Sequence, residues 1–213
     1  MILWGLMDSP FVRRVALALH HHGRVFEHRK LSVLAHGAQL REVSPLGRVP
    51  ALTLDDGQVL TDSRAIIEWL DRTDPDRSLT APAPHLLEML EIEAIAVGLA
   101  EKAVGKSFEN RRAAPDPVVL ETFDRQIAEA AAWLDARAKG GWLVADRLTR
   151  ADLALDCATG YVALRHPGLI DPAHVNLAAH AAFCEGQTPF PDAPFEATDI
   201  GALIAAAEEE ERI

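Results

Sequence analysis

Cysteine is scarce in this chain: only Cys157 and Cys184 occur, both late. Two such residues build neither a disulfide framework nor a cysteine metal cluster, and they fit a reducing compartment. Tyrosine is scarcer still, with Tyr161 alone. Basic residues are outnumbered, 21 Lys and Arg against 32 Asp and Glu, for a formal net charge of -11. That field repels nucleic acid and anionic membranes, although a local dipole or a single arginine can still hold a small anion. No apolar run approaches the ~18 residues of a membrane span. The short "MILWGL" start has no basic segment before it, so the expectation is a soluble cytoplasmic protein.

What remains is 49% apolar and 25% charged, ordinary for a globular protein, at a length of 213 residues that allows two modest domains. The first third alternates in type. "ILWGL" predicts a buried strand, and Pro10 to His22 carries apolar residues at helical spacing, with Gly23 as its stop. "VFEHRKL" predicts a weaker strand and is followed by an irregular stretch. "PALTL" and "QVLT" flank Asp55-Asp56-Gly57, a hairpin signal, and Ser63 to Arg72 predicts another helix. "RTDPDRSLTAPAP" then reads as a linker. Beyond it, helices are predicted over 85–112, 117–139, 149–165 and 176–184. "EGQTPFPDAPFEA" is extended, and "IGALIAAAEEEERI" forms a last helix. The fold class is therefore α/β followed by all-α, with domains at 1–75 and 85–213.

Some signals are complete as structure alone. Thr149 and Asp152 in "DRLTRADLAL" form a capping box, with Leu148 and Leu153 as a hydrophobic staple. His20, His21 and His22 point about 100° apart on a helix and cannot converge on one metal ion.

A strand leading to Ser9-Pro10-Phe11, then "SPLGRVPAL", then "DGQVLTDSRAIIEWL", then a helical half with "LTRADLAL", resembles a soluble glutathione transferase. The nearest likeness is to bacterial members with a serine at the start of the first helix. The resemblance implies a thioredoxin-like N-terminal domain, a helical-bundle C-terminal domain, a homodimer, and glutathione as cosubstrate with no permanent cofactor or metal. It also implies a cis Val49-Pro50 peptide, with Val49 offering its backbone to the cysteinyl unit. Ser63 would bind the γ-glutamyl carboxylate, Asp62 would help receive the ammonium, and Arg48 would meet the glycyl carboxylate. The electrophile pocket would be lined by Met7, Phe11, Phe108, Arg111 and Arg112.

The residues make chemical sense for such a ligand. Ser9 and Pro10 open a helix, where free N–H groups and the helix dipole favour an anion. A hydroxyl donating to sulfur, worth ~1.5–3 kcal/mol, lowers a thiol pKa by roughly one to two units. Ser9 is thus a helix cap or a thiolate donor, two uses of one hydroxyl. Tyr161 lies in the helical half and no cysteine opens the first helix, which leaves serine-type conjugation of small apolar electrophiles. Asp8 is the departure: pointing inward it opposes a thiolate, but it can instead face solvent or cap the helix. The alternatives are a non-catalytic binding or scaffold protein, and a glutathione-dependent isomerase or dehalogenase.

Overall fold

The structure is a computed structural model that describes residues 1–210. It comprises two units: Met1–Ser78 together with the chain from Asp192 onward, and Leu79–Pro191. The first division falls inside "RTDPDRSLTAPAP", whose prolines and aspartates favour turns over a continued helix.

The first unit runs β1 (Ile2–Trp4), α1 (Pro10–His21), β2 (Glu27–Arg29), α2 (Gly37–Val43), β3 (Ala51–Thr53), β4 (Val59–Leu60) and α3 (Ser63–Thr73). Its sheet has the order β2-β1-β3-β4. β1 and β2 are parallel, with Trp4 opposite Arg29, whereas β1 and β3 are antiparallel, with Trp4 opposite Ala51. The hairpin at Asp55-Asp56-Gly57 forms as expected and pairs Leu52 with Leu60. The stretch expected to be irregular contains α2, which buries Leu40 alone and has no capping side chain at His36.

α1 and α3 pack together through Val12, Val15, Ala16, Leu19, Ile66, Ile67 and Leu70, all buried, with Leu3 and Leu52 from the sheet. α1 ends as predicted: Gly23 has φ +64°, the left-handed turn that closes a helix cheaply only with glycine.

The second unit holds α4 (Leu86–Glu109), α5 (Pro117–Asp135), α6 (Arg150–Arg165) and α7 (Val175–Glu185). α4 is its centre and packs on both α5 and α6. Ala96, Ala100 and Ala103 on α4 and Ala151, Ala154 and Ala158 on α6 are all buried, and such small residues let helices approach closely.

The chain from Asp192 belongs with the first unit and ends in α8 (Ile200–Glu210). The remainder of the expected last helix, 211–213, lies outside the described residues. No helix among the described residues is long and apolar enough to cross a membrane.

Candidate active site

The sheet register decides where the sequence-predicted residues meet. β1 and β4 end, and β3 begins, at the same edge, because Trp4 faces Ala51 and Leu52 faces Leu60. Ser9 follows β1 at that edge, Arg48, Val49 and Pro50 precede β3, and Asp62 and Ser63 follow β4. Two helix N-termini, those of α1 and α3, therefore open beside one loop, each with a partial positive charge.

Gly5 brings the first two pieces together. Its φ is +131°, and a Cβ there would lie 2.4 Å from Val12 Cγ2 and 2.9 Å from Val49 Cβ. The end of β1, the first turn of α1 and the loop before β3 are thus in close contact. Val49-Pro50 is a cis peptide, as the resemblance implied, and so are Thr61-Asp62 and Thr188-Pro189.

Ser9 is the N-cap of α1, with φ -69° and ψ 125°, and Pro10 is the first helical residue. Its Oγ accepts from Val12 N at 3.4 Å, a long bond. Such a cap uses a lone pair and leaves the hydroxyl proton available. Capping and donation to a thiolate are therefore compatible at Ser9 rather than exclusive. Asp8 neither caps the helix nor faces solvent: it is 6% exposed, and it has a partner in the fold.

At α3 the cap is Asp62, whose Oδ1 accepts from Arg64 N at 2.9 Å and Ala65 N at 3.3 Å. Ser63 is consequently the first helical residue, buried, and its hydroxyl is not the capping group. Asp62 and Arg48 are exposed, Val49 is half-buried and Pro50 is buried. Of the predicted pocket residues, Met7 is buried and Phe11 half-buried, both flanking Ser9 in sequence. The other three belong to the second unit. Phe108 is exposed on the last turn of α4, and Arg111 and Arg112 are exposed beyond it. Arg112 Nη1 donates to Glu109 Oε1 at 2.9 Å.

The three histidines diverge. His20 packs edge-on against Phe26, His21 Nε2 lies 2.9 Å from Arg77 O, and buried His22 meets Asp71 Oδ1 at 3.2 Å. Two residues of the first unit escaped the sequence reading: Arg13 is fully buried although arginine in an apolar helix was visible, and Phe195, whose ring it meets, fell in the stretch read as extended.

Four short strands in this order, flanked by helices and joined at their edge by a cis-proline loop, make a thioredoxin-like domain, which this chain follows with a helical one. The N-terminal domain family of glutathione S-transferases matches residues 3–78. A glutathione transferase family member from Pseudomonas fluorescens, solved with bound glutathione, is 30% identical. The match covers 92% of this chain and 98% of that one, with a TM-score of 0.79. A glutathione S-transferase from Methylobacterium radiotolerans, in complex with glutathione sulfonate, is 28% identical with a TM-score of 0.85. That match covers 93% of this chain and 96% of the other. The GST-like protein YibF of Escherichia coli is also 28% identical, over 89% of this chain and 99% of its own. The chain belongs to the glutathione transferase superfamily.

Proposed function

We propose that this protein binds glutathione at the sheet edge and adds its thiolate to small apolar electrophiles. The observation that carries this reading is the convergence of Ser9, the Val49-Pro50 loop and Asp62-Ser63 at one edge, between two helix N-termini. Glutathione carries a thiol, two carboxylates and an ammonium, so it needs several complementary groups along one line. The Ser9 hydroxyl donates to the thiolate, and the α1 dipole adds to it. Val49 offers its backbone to the cysteinyl unit as a strand mimic. Ser63, with the α3 N-terminus, takes the γ-glutamyl carboxylate, Asp62 faces the ammonium, and Arg48 meets the glycyl carboxylate.

The chemistry is nucleophilic addition by a held thiolate, with no group on the protein forming a bond. The protein contributes a higher thiolate fraction at neutral pH and orientation of the electrophile. Met7 and Phe11 supply apolar contact from the first unit. Bound glutathione or its sulfonate in the two similar structures supports the cosubstrate. The non-catalytic alternative rests on Asp8, and burial and the cap at Ser9 exclude the solvent-facing and capping placements that would have answered it.

Two measurements test the reading. Titration calorimetry with glutathione and S-hexylglutathione should show binding of both, and binding of neither would end the enzyme reading. Ser9→Ala should then cut kcat/KM by roughly 10- to 100-fold, the equivalent of one charge-assisted hydrogen bond. The bound glutathione should lose its thiolate absorbance while its affinity changes less than about threefold. Unchanged turnover in Ser9→Ala would reduce Ser9 to a helix cap.

A further inference from the structure

The stretch from Asp192 to the start of α8 has no periodicity, yet it is fastened firmly to the rest of the first unit. Arg13 Nε donates to Ala193 O at 2.7 Å, and the guanidinium carbon lies 4.0 Å from the centroid of the Phe195 ring. One residue on, Lys30 Nζ donates to Glu196 Oε2 at 2.6 Å. Arg13 is fully buried, and a guanidinium taken out of water costs several kcal/mol unless it is bonded. Its bond to Ala193 and its stacking on Phe195 help meet that cost, which makes this a held strap rather than a tail lying on the surface.

The strap has a definite place relative to Ser9. Arg13 N donates to Ser9 O at 2.9 Å in the first helical bond of α1, so the two residues share a face one turn apart. Lys30 directly follows β2, which ends beside β1 because the two are parallel. Both anchors therefore stand at the edge of the sheet where Ser9 stands, on its β2 side. Glutathione laid from Ser9 past Val49 to Ser63 runs the other way, across β1, β3 and β4. The side of the sulfur left for the incoming electrophile is the side with the strap. Phe195 is half-buried, with one ring face on the guanidinium.

We propose that Ala193–Glu196 walls the electrophile side of the thiol site, with Arg13 as its positioning residue and Phe195 as a selector for flat aromatic electrophiles. This rests on the reading of Ser9 as the thiolate site. Arg13 acts through the strap and does not touch substrate.

Benzyl and allyl isothiocyanate give a matched test. In both, the thiolate sulfur bonds to the central carbon, the nitrogen takes a proton from water, and nothing leaves; only the ring differs. In Phe195→Ala, kcat/KM for the benzyl compound should fall about tenfold and that for the allyl compound by less than about twofold, as for loss of one apolar contact. Arg13→Lys keeps the charge but loses the planar fork, and should move the same ratio in the same direction. Glu196→Lys, at an exposed ion pair, repels Lys30 and should give a smaller shift with folding intact. It carries the test with Phe195→Ala if Arg13→Lys fails to fold.

Glutathione affinity should stay within about threefold in every variant, since the strap lies off the tripeptide's path. Equal loss on both substrates, an unchanged ratio, or a loss of glutathione affinity that accounts for the activity would overturn the proposal. Failure of the unaltered protein to bind glutathione would instead sink the thiol-site reading beneath it. That result is seen before any substitution is made.

Discussion

Gly5 shows how much of the site depends on a residue with no chemistry of its own. Its N–H donates to Arg29 O at 3.0 Å, and its carbonyl accepts from His28 Nε2 at 2.7 Å, so the backbone there cannot shift freely. With φ +131° and two valines where a Cβ would go, alanine is excluded on both conformational and steric grounds. Backbone strain of about 1–3 kcal/mol adds to overpacking of about 1–3 kcal/mol. Gly5→Ala is expected to lose roughly 3 kcal/mol or more in urea unfolding, and to lose glutathione binding with it. Stability within about 0.5 kcal/mol of the parent would contradict the close packing. Ser9-Pro10 and Asp62-Ser63 were legible in the sequence because a helix start is written within one turn of itself. Gly5 was read only as part of a buried strand, since the two valines it makes room for, Val12 and Val49, belong to other elements. Arg13 did carry a signal, a charge inside an apolar helix, but Ala193 and Phe195, which it meets, lie near the other end of the chain.

Elements were legible in proportion to how local their causes are. The capping box at α6 forms as expected, with Asp152 Oδ2 accepting from Thr149 N at 2.8 Å and Thr149 Oγ1 at 2.9 Å. The same carboxylate also accepts from Leu143 N at 2.9 Å and faces His180 Nε2 at 3.2 Å, ties to a loop and to α7 that no local pattern announces. Burial raises the pKa of Cys184 beside His180, so the thiol stays protonated and inert. β2 was blurred because its outer residues are exposed and charged, and α2 was missed because it has no side-chain cap and a single buried residue. The far end of α6 is fixed by His166. Its Nε2 donates to Ala103 O at 2.8 Å and lies 3.0 Å from Ser107 Oγ, which accepts from Tyr161 OH at 2.8 Å. Burial, reinforced by Lys106, holds the His166 pKa below the ordinary imidazole value; the bond to Ala103 opposes this in part. The unfolded chain then takes up a proton near pH 6.5 that the folded protein resists, so stability present above that pH is lost as pH falls through and below it. Between about pH 7 and pH 5 the melting temperature of the parent should fall more steeply than that of His166→Gln, which keeps a donor but does not titrate. Equal slopes would remove His166 as the cause.

At the scale of the whole molecule, α4 is the element whose pattern exceeds what one chain uses. Met89, Ile92, Ala96, Val97, Leu99, Ala100 and Ala103 are buried in the second unit, yet Leu87 is 80% exposed and Leu90 43% exposed. The core of the second unit accounts for one apolar face of this helix and leaves these two leucines outside it. Isolated surface leucines are ordinary, but two placed three residues apart share a face. We propose that this face meets a second copy of the chain. A twofold axis doubles every contact, so two leucines per chain contribute four to the interface. At about 1.5–3 kcal/mol for burying a fully exposed leucine, scaled by the area these two still expose, that is roughly 4–7 kcal/mol gross. A micromolar dimer has a net binding free energy of about 8 kcal/mol. The leucines would thus be a large share of the driving force, and one substitution pair should abolish it. Sedimentation equilibrium of the parent at micromolar concentration should give the mass of two chains. Leu87→Lys with Leu90→Lys should give one chain with its helical circular dichroism intact, because both side chains already stand in water in the single chain. A parent that sediments as one chain, or a doubly substituted protein that still sediments as two, would place the subunit contact elsewhere or nowhere, and the outer face of α4 would be apolar surface without a partner.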